Sequence, residues 1–378
     1  MRWPTGFTSS GVAAGIKPNG DKDLAVLVTE APVQWAGTFT HNASAAACVH
    51  WCRGQLGHPV RAIVVNSGNA NACTGKSGAA AVEETAMAAA DALGCSRDEI
   101  LVSSTGTIGI PLPVERLTSA LPGAFAGLGP DVGEFGHAIM TTDSRMKVAT
   151  AGAGDATVVG VAKGAAMLAP NMATMLAFMT TDAAVPDGAL QKVLTAAVGQ
   201  SFDRISVDAC ESTNDSVFLL SSSAVETTVD ALARAVTEVC KDLAEQMVRD
   251  AEGGSKFVRI QVTGAADDAA AVSFGRSIAA SALWRAAVNG ADPNWGRVLA
   301  ALGSVDRTLD ISEVTVAIGP ETLFDRGEPC GSIEAAHKAM SGDEFTLSCV
   351  VGGGTGVAEI LSSDLSTDYV TLNAEGST

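Results

Sequence analysis

Short, strongly apolar runs alternate with alanine-rich helical segments along nearly the whole chain. Residues 24–29 (LAVLVT) and 61–66 (RAIVVN) have the length and the β-branched content of buried strands. Residues 79–93 carry their charges on one side and stop before Gly94, which favours a helix closed by a glycine. This alternation predicts an α/β or α+β fold in which helices cover the sheets.

The same patterns give the other elements. Further strands are predicted at 99–104, 156–162, 174–180, 215–221, 256–264, 314–318, 344–351 and 369–372, and further helices at 113–121, 189–198, 229–249 and 278–288. Aromatic residues make up only 4% of the chain, so Ala, Val, Leu and Met must fill the core.

The charge balance excludes several classes of partner. The chain has 24 Lys and Arg against 42 Asp and Glu, which gives a net charge of −18. Nucleic acid and anionic membranes both select clustered cations, so neither is expected as a partner.

The uncharged stretch 164–181 contains Pro170, Asn171 and three threonines, so we do not expect it to span a membrane. The N-terminus lacks the apolar core of a signal peptide, and the expected location is the cytoplasm.

Two motifs suggest phosphate or metal binding, but each lacks an essential part. Gly75-Lys76-Ser77 resembles the end of a phosphate-binding loop, yet Ala70 stands where the first glycine is needed. Cys48, His50 and Cys52 have no second pair of ligands at zinc-finger spacing. We therefore expect no metal site, and we interpret the eight cysteines as buried side chains of a reducing compartment.

The segment 163–183 (KGAAMLAPNMATMLAFMTTDA) is the most unusual part of the sequence. A loop with Pro170 and Asn171 leads into an apolar strand that starts at a hydroxyl residue, Thr174. On pattern alone a structural threonine is favoured, because β-branched residues suit strands.

This segment closely resembles the cleavage region of the ornithine acetyltransferase family, the arginine-biosynthesis J proteins. The resemblance covers nearly the whole chain and rests on many blocks in one order. These blocks are residues 6–8, 11–17, 66–75, 104–106, 108–109, 139–143, 163–183, 205–208, 212–215, 250–253, 292–297, 369–370 and Asn373. The resemblance implies that the chain cuts its own Ala173–Thr174 bond and that Thr174 becomes an N-terminal nucleophile.

This chemistry makes sense of the residue types. A threonine hydroxyl inside a chain is a poor nucleophile without a base. After cleavage the α-amine of Thr174 lies beside its own hydroxyl, and an α-amine titrates at about 7.7–8.0, near neutral pH. Nucleophile and base then belong to one residue, which fits a chain whose histidines form no catalytic pattern.

The resemblance also implies the other site residues. Thr105 and Gly106 would form the oxyanion hole, while Lys163, Thr174, Glu252, Asn373 and Thr378 would bind substrate. Without the resemblance, Thr105 and Gly106 are typical of a turn, and Lys163 of a solvated strand end. Glu252 is then typical of a surface charge, and Asn373 and Thr378 of a frayed tail.

The implied fold is a layered sandwich of stacked mixed β-sheets flanked by helices, of the ornithine acetyltransferase/DmpA-like type. It would consist of an α chain (1–173) and a β chain (174–378), with a smaller α/β subdomain at about 187–265, and the cleaved chains would form an α₂β₂ heterotetramer.

The implied reaction moves an acetyl group from N2-acetylornithine to glutamate by a ping-pong route. Acetyl-CoA is a further candidate donor, and no cofactor is implied. Three alternatives stay open at this point: a related N-acetyl transferase or hydrolase of a secondary-metabolite pathway with a different amine, an N-terminal-nucleophile aminopeptidase, and an uncleaved, silent binding protein. Several positions depart from the family pattern, among them Met146 and the pair Trp284-Arg285.

Overall fold

The computed structural model describes residues 1–166 and 175–375, which form fourteen strands and eleven helices. The strands are β1 (Phe7–Val12), β2 (Leu24–Phe39), β3 (Val60–Asn69), β4 (Ile100–Thr107), β5 (Lys147–Ala153), β6 (Ala156–Lys163), β7 (Leu176–Ala184), β8 (Ser216–Glu226), β9 (Phe257–Ala265), β10 (Thr315–Ile318), β11 (Glu321–Asp325), β12 (Glu328–Pro329), β13 (Glu344–Val350) and β14 (Gly356–Ser363). The helices are α1 (Ala47–Gly54), α2 (Gly75–Leu93), α3 (Val114–Ala126), α4 (Gly133–Ile139), α5 (Ala189–Gly199), α6 (Val229–Arg249), α7 (Asp268–Ala280), α8 (Ala282–Asn289), α9 (Trp295–Val305), α10 (Ile333–Met340) and α11 (Thr367–Glu375).

The first sheet has the order β4-β3-β2-β8-β7-β6-β5, and β1 pairs with β2 as well. Strands β3 and β4 are parallel, as are β7 and β8, and the other pairs are antiparallel. The long strand β2 serves both halves of the sheet. Its first part pairs with β1 and β3 and its last six residues pair with β8, with a register shift between Val28 and Val33.

Both faces of the central strands are buried. Along β7 and β8, Leu176, Phe178, Phe218 and Leu220 belong to one hydrophobic core, while the residues between them belong to another. The alternation follows from the two-residue period of a strand. Helices α1 to α4 contribute to the first core and α5 and α6 to the second, so this sheet is covered on both sides.

The first sheet folds back on itself. Strand β4 stands first in the strand order and β6 next to last, yet the Lys163 side chain at the end of β6 is hydrogen-bonded to Thr105 at the end of β4. The Asn214 side chain, just before β8, also reaches the carbonyl of Ser104 on β4. The two halves of the sheet therefore lie as stacked layers, and this stacking brings distant strand ends into one place.

A second, mixed sheet has the order β12-β11-β10-β13-β9-β14, in which β9 and β13 are parallel. It has a separate core with α7, α8, α9 and α10. Helix α6 contacts β14 of this sheet as well as β5 and β6 of the first. Segment 187–265 is divided between the sheets, since it supplies β8 and the helices α5 and α6 to the first and β9 to the second.

The predicted class, mixed sheets flanked by helices, is confirmed, but two predicted elements are wrong. The helix predicted at 278–288 is two helices, because Ser281 is extended (φ −71°, ψ 107°) and its side chain caps the N–H of Trp284. The strand predicted at 369–372 is part of α11. Ser366 accepts the N–H of Tyr369 at 2.9 Å, which caps this helix, and Val370 and Leu372 remain exposed.

Across residues 1–166 and 175–375, no helix has both the length and the apolar character that crossing a bilayer requires.

Candidate active site

The end of β4 and the end of β6 meet in the interior. The Nζ of Lys163, the last residue of β6, donates a hydrogen bond of 3.1 Å to Oγ1 of Thr105 near the end of β4. Both residues are 2% exposed. Lys163 is therefore not a solvated strand end, and a buried cation of this kind is expected only where it has partners.

Gly106 is a glycine for steric reasons. It has a φ of +131°, a conformation that other residues rarely adopt. It is paired with Gly68 on the parallel strand β3, and a Cβ at position 106 would lie 2.3 Å from the carbonyl carbon of Gly68 and 2.5 Å from the amide nitrogen of Asn69. The strand end consequently places a backbone N–H and the Thr105 hydroxyl beside each other.

The start of β7 is held by a buried carboxyl group. The N–H of Met175, the residue that follows Thr174 in the chain, donates a hydrogen bond of 3.0 Å to Oδ1 of Asp215. Asp215 is fully buried, and its Oδ2 has no hydrogen-bond partner among the described residues. Burial raises the pKa of this carboxyl well above its usual value, although the Met175 N–H, Ser212 and Lys163 act against the shift.

A buried cluster of charged side chains lies next to Lys163. The Nζ of Lys147 lies 2.6 Å from Oδ1 of Asp143 and 2.5 Å from Oδ2 of Asp250, and the N–H of Gly164 donates to Asp143 at 2.6 Å. Burial opposes ionisation of Asp143, but the cations of Lys163 and Lys147 and the Gly164 N–H outweigh it, so the pKa of this carboxyl lies below its usual value.

Opposing effects act on the pKa of Lys163 itself. Burial lowers the pKa of its ammonium group, and the nearby cations of Lys147 and Lys17 act in the same direction. The carboxyl groups of Asp143 and Asp215 oppose the shift. A lysine with a lowered pKa is a common feature of functional sites, because the proton is then easier to exchange.

Glu252 is hydrogen-bonded to the backbone two residues after Lys163. Its N–H donates a hydrogen bond of 2.8 Å to the carbonyl of Ala165, and its side chain is partly exposed. Burial raises the pKa of the Glu252 carboxyl, and the negative charge of Asp208 adds to the shift while Lys163 opposes it. Glu252 and Lys163 thus supply a carboxylate and an ammonium group whose charges act on each other, and recognition of a zwitterionic amino acid requires these two kinds of group.

Asn214 ties the strand ends together. Its Nδ2 donates to the carbonyl oxygens of Ala70 and Ser104 at 2.7 and 2.8 Å. It lies next to Asp215, so the same short segment fixes the turn after β3, the end of β4 and the start of β7.

The structure brings together some of the residues that the sequence indicated and leaves others apart. Thr105, Gly106 and Lys163 share one site, and Glu252 adjoins it through Ala165. Asn373 lies on α11, where it is exposed and its amide donates to the carbonyl of Tyr369 at 2.9 Å. Ala173, Thr174 and Thr378 lie outside the described residues.

Sequence reasoning gave no role to the buried acids and their lysine. Asp143, Asp215 and Asp250 all lie in blocks that carry the family resemblance, but an aspartate at the end of a strand or helix is usually a cap or a surface charge. Their positions in those blocks were the available signal. Only the fold shows that they surround Lys147 and Lys163.

The arrangement suits acyl transfer. It combines a hydroxyl group, the backbone N–H of a strand residue with a positive φ and a buried cation, which are groups that stabilise a developing oxyanion. Within residues 1–166 and 175–375, no three His, Cys, Asp or Glu side chains are grouped so that they could hold a metal ion.

Comparisons with known proteins agree with this chemistry. Among curated proteins, the arginine biosynthesis bifunctional protein ArgJ of Thermus thermophilus is 42% identical over 377 residues, which is 99% of this chain and 98% of that protein. The protein of the same name from Streptomyces avermitilis is 43% identical over 377 residues, covering 98% and 97%.

A solved structure of the arginine biosynthesis bifunctional protein ArgJ from Bacillus halodurans is 33% identical and has a TM-score of 0.49; it covers 52% of this chain and 97% of the solved chain. A family model described as the ArgJ family matches residues 8–378. Since the family model and both curated relatives extend over almost the whole sequence, the chain belongs to the ArgJ family.

Proposed function

We propose that this chain is a self-cleaving acetyltransferase that moves the acetyl group of N2-acetylornithine to glutamate, giving ornithine and N-acetylglutamate in arginine biosynthesis. Full-length similarity to arginine biosynthesis bifunctional proteins supports an acyltransferase of this pathway. The observation that carries the residue assignment is the hydrogen bond from Lys163 to Thr105 beside Gly106, because it brings the implied oxyanion donors and a substrate-binding cation into one buried place.

Thr174 is the proposed nucleophile. Its hydroxyl first attacks the carbonyl carbon of Ala173, which turns the amide into an ester that water hydrolyses. The freed α-amine then accepts the hydroxyl proton when Oγ attacks the acetyl carbonyl of the donor. Thr174 is joined by a peptide bond to Met175, whose N–H is held by Asp215, so the adjoining backbone is fixed at this end of β7.

Thr105 and Gly106 are the proposed oxyanion donors. Oγ1 of Thr105 accepts a hydrogen bond from the ammonium group of Lys163, so its own O–H is available to donate elsewhere. The N–H of Gly106 is the second donor. Both would strengthen their hydrogen bonds as negative charge develops on the acetyl oxygen.

Substrate recognition is assigned to Lys163, Glu252, Asn373, Thr378 and Thr174. Lys163 supplies a cation for the α-carboxylate, and Glu252 supplies a carboxylate for an ammonium group. In the second half-reaction the α-amine of glutamate attacks the acetyl-enzyme, and the acetyl group leaves Thr174 as N-acetylglutamate.

The broader assignments follow the family resemblance. The products of cleavage are an α chain (1–173) and a β chain (174–378), and they assemble as an α₂β₂ heterotetramer in the cytoplasm. The reaction needs no cofactor, and acetyl-CoA is a second candidate donor.

The test is Thr174→Ala. Wild type should give two bands on a denaturing gel, and the alanine variant one full-length band without acetyl transfer. Mass spectrometry after incubation with N2-acetylornithine alone should find one acetyl group at the first residue of the β chain.

Thr174→Ser is the matched control, because it keeps the hydroxyl and should retain both steps in weaker form. An alanine variant that still cleaves would show that the nucleophile lies elsewhere. Release of acetate in place of N-acetylglutamate would indicate a hydrolase, and an intact wild-type chain without turnover would indicate a binding protein. Parallel assays with acetyl-CoA and glutamate determine whether both donors are used.

A further inference from the structure

The C-terminal helix α11 is packed tightly against the loop that carries Glu252. Gly253 has a φ of +66°, and a Cβ there would lie 2.3 Å from the amide nitrogen of Tyr369. The hydroxyl of Ser366 donates to the carbonyl of Gly253 at 2.5 Å and accepts the N–H of Tyr369 at 2.9 Å. The backbone of Tyr369 is therefore fixed against Gly253, the residue that follows Glu252 in the chain.

The ring of Tyr369 is fixed as well. The guanidinium of Arg285, which is 6% exposed, lies 5.2 Å from the ring centroid. Arg285 is itself immobilised, since Nε and Nη2 donate to the carbonyl oxygens of Ser363 and Asp364 at 3.1 and 2.9 Å. A cation held over an aromatic face in this way restricts the ring.

The hydroxyl of Tyr369 contacts a carboxyl group other than that of Glu252, namely that of Asp208. It is hydrogen-bonded to the side chain of Asp208, and burial together with the Asp208 carboxylate raises the pKa of Tyr369 to about 12 although Arg285 opposes the shift. The negative charge of Asp208 also raises the pKa of the Glu252 carboxyl, and the positive charge of Lys163 opposes this shift.

We propose that Tyr369 is a positioning residue for donor selection: its hydroxyl holds Asp208 beside Glu252, and the two carboxylates together bind the side-chain ammonium of N2-acetylornithine. The inference rests on the proposed function, since it concerns the end of the donor that does not react. It adds Asp208 and Tyr369 to the residues that decide which acyl amino acid the enzyme accepts.

Two donors that differ only in the ammonium group test the inference. N2-acetylnorvaline has the carbon chain of N2-acetylornithine without the terminal amine. Wild type should prefer N2-acetylornithine in kcat/KM by about 10- to 100-fold, as expected for hydrogen bonds to a charged group. Asp208→Asn should reduce this preference about tenfold through KM for N2-acetylornithine, with N2-acetylnorvaline unaffected. Tyr369→Phe should change it in the same direction, by about threefold.

The single tyrosine of the chain gives a second, independent measurement. Its ionisation can be followed by near-ultraviolet absorbance, and it should titrate at about 12 in wild type. Asp208→Asn should lower this pKa towards the ordinary value of about 10, because the carboxylate no longer opposes the phenolate. Asp368→Asn is the matched control: it removes one exposed carboxylate next to Tyr369 and should change neither the titration nor the donor preference.

The outcomes separate the inference from the proposed function. If the pKa of Tyr369 falls in Asp208→Asn while the donor preference stays at the wild-type ratio, Asp208 contacts Tyr369 but does not bind the ammonium group of the donor, and the inference is wrong. A wild type that transfers acetyl equally well from both donors would overturn the inference and leave the transferase standing. A wild type that transfers from neither would refute the proposed function, while the titration would still report the contact.

Discussion

Replacing Gly106 with alanine should destabilise the protein through two separable effects. The first is conformational, because a φ of +131° suits glycine and costs another residue about 1–3 kcal/mol. The second is steric. The new Cβ would lie 2.3 Å from the carbonyl carbon of Gly68 and 2.5 Å from the amide nitrogen of Asn69, and backbone atoms of a paired strand cannot turn aside. Overpacking of this kind costs about 1–3 kcal/mol more.

Gly109→Ala provides the matched control three residues further along the chain, just after β4. Gly109 also has a positive φ, +82°, but no heavy atom lies within 4 Å of the position that a Cβ would take. It should therefore show only the conformational cost. The free energy of unfolding of Gly106→Ala should be lower than that of Gly109→Ala by about 1–3 kcal/mol.

The assay is urea unfolding followed by tryptophan fluorescence, with both substitutions made in the Thr174→Ala chain so that a single polypeptide unfolds. By the proposed mechanism, Gly106→Ala in the chain that retains Thr174 should also lower kcat by about 10²–10³, because the backbone N–H would be displaced from the oxyanion. Equal free energies of unfolding for the two variants would refute the steric argument.

Three further predictions concern the buried charges. Lys147→Met should lower the free energy of unfolding by about 3–5 kcal/mol, because Asp143 and Asp250 lose their shared cation; urea titrations with an unchanged midpoint would contradict this. Burial raises the pKa of Asp215 above 3.8, so above pH 3.8 the folded state retains a proton that the unfolded state releases. The free energy of unfolding of the wild type should therefore fall, relative to that of Asp215→Asn, as the pH rises from 3.8 to the raised pKa. A stability difference that is constant with pH would show that this carboxyl is not perturbed. Lys163→Ala should raise KM for N2-acetylornithine more than it slows cleavage, and steady-state kinetics with unchanged KM would remove Lys163 from substrate binding.

The elements that the sequence predicts best are those whose local and tertiary signals agree. Helix α6 begins at Val229 and ends at Arg249 as predicted, because an apolar stripe with helical period faces the core and Thr228 caps its start. The strand predicted at 369–372 fails for the opposite reason. Its β-branched and aromatic residues favour a strand, but the cap at Ser366 and the contact with Gly253 stabilise a helix there, and neither is visible in a local window.

The candidate site shows the same division. The resemblance of sequence blocks indicated Thr105, Gly106, Lys163 and Glu252, but it could not say how strand ends meet. The contact between Lys163 and Thr105 depends on the sheet folding back at β2. The burial of Asp215, whose Oδ2 has no hydrogen-bond partner among the described residues, depends on that packing too, because burial is a property of the assembled layers and not of the segment 212–215.

The strand order of the first sheet has a consequence for a protein cleaved at the proposed position. Strands β7 and β8 follow residue 174 but lie between β2 and β6, which precede it, and each junction has six residue pairs. A cut at Ala173–Thr174 therefore leaves two polypeptides that are joined by backbone hydrogen bonds on both sides. Before the cut, folding is unimolecular. Afterwards any molecule that unfolds must rejoin its other half in a bimolecular step, whose rate falls on dilution. A cleaved form would consequently be maintained by slow unfolding rather than by efficient refolding, and it would keep an arrangement that the uncut precursor assembles more readily.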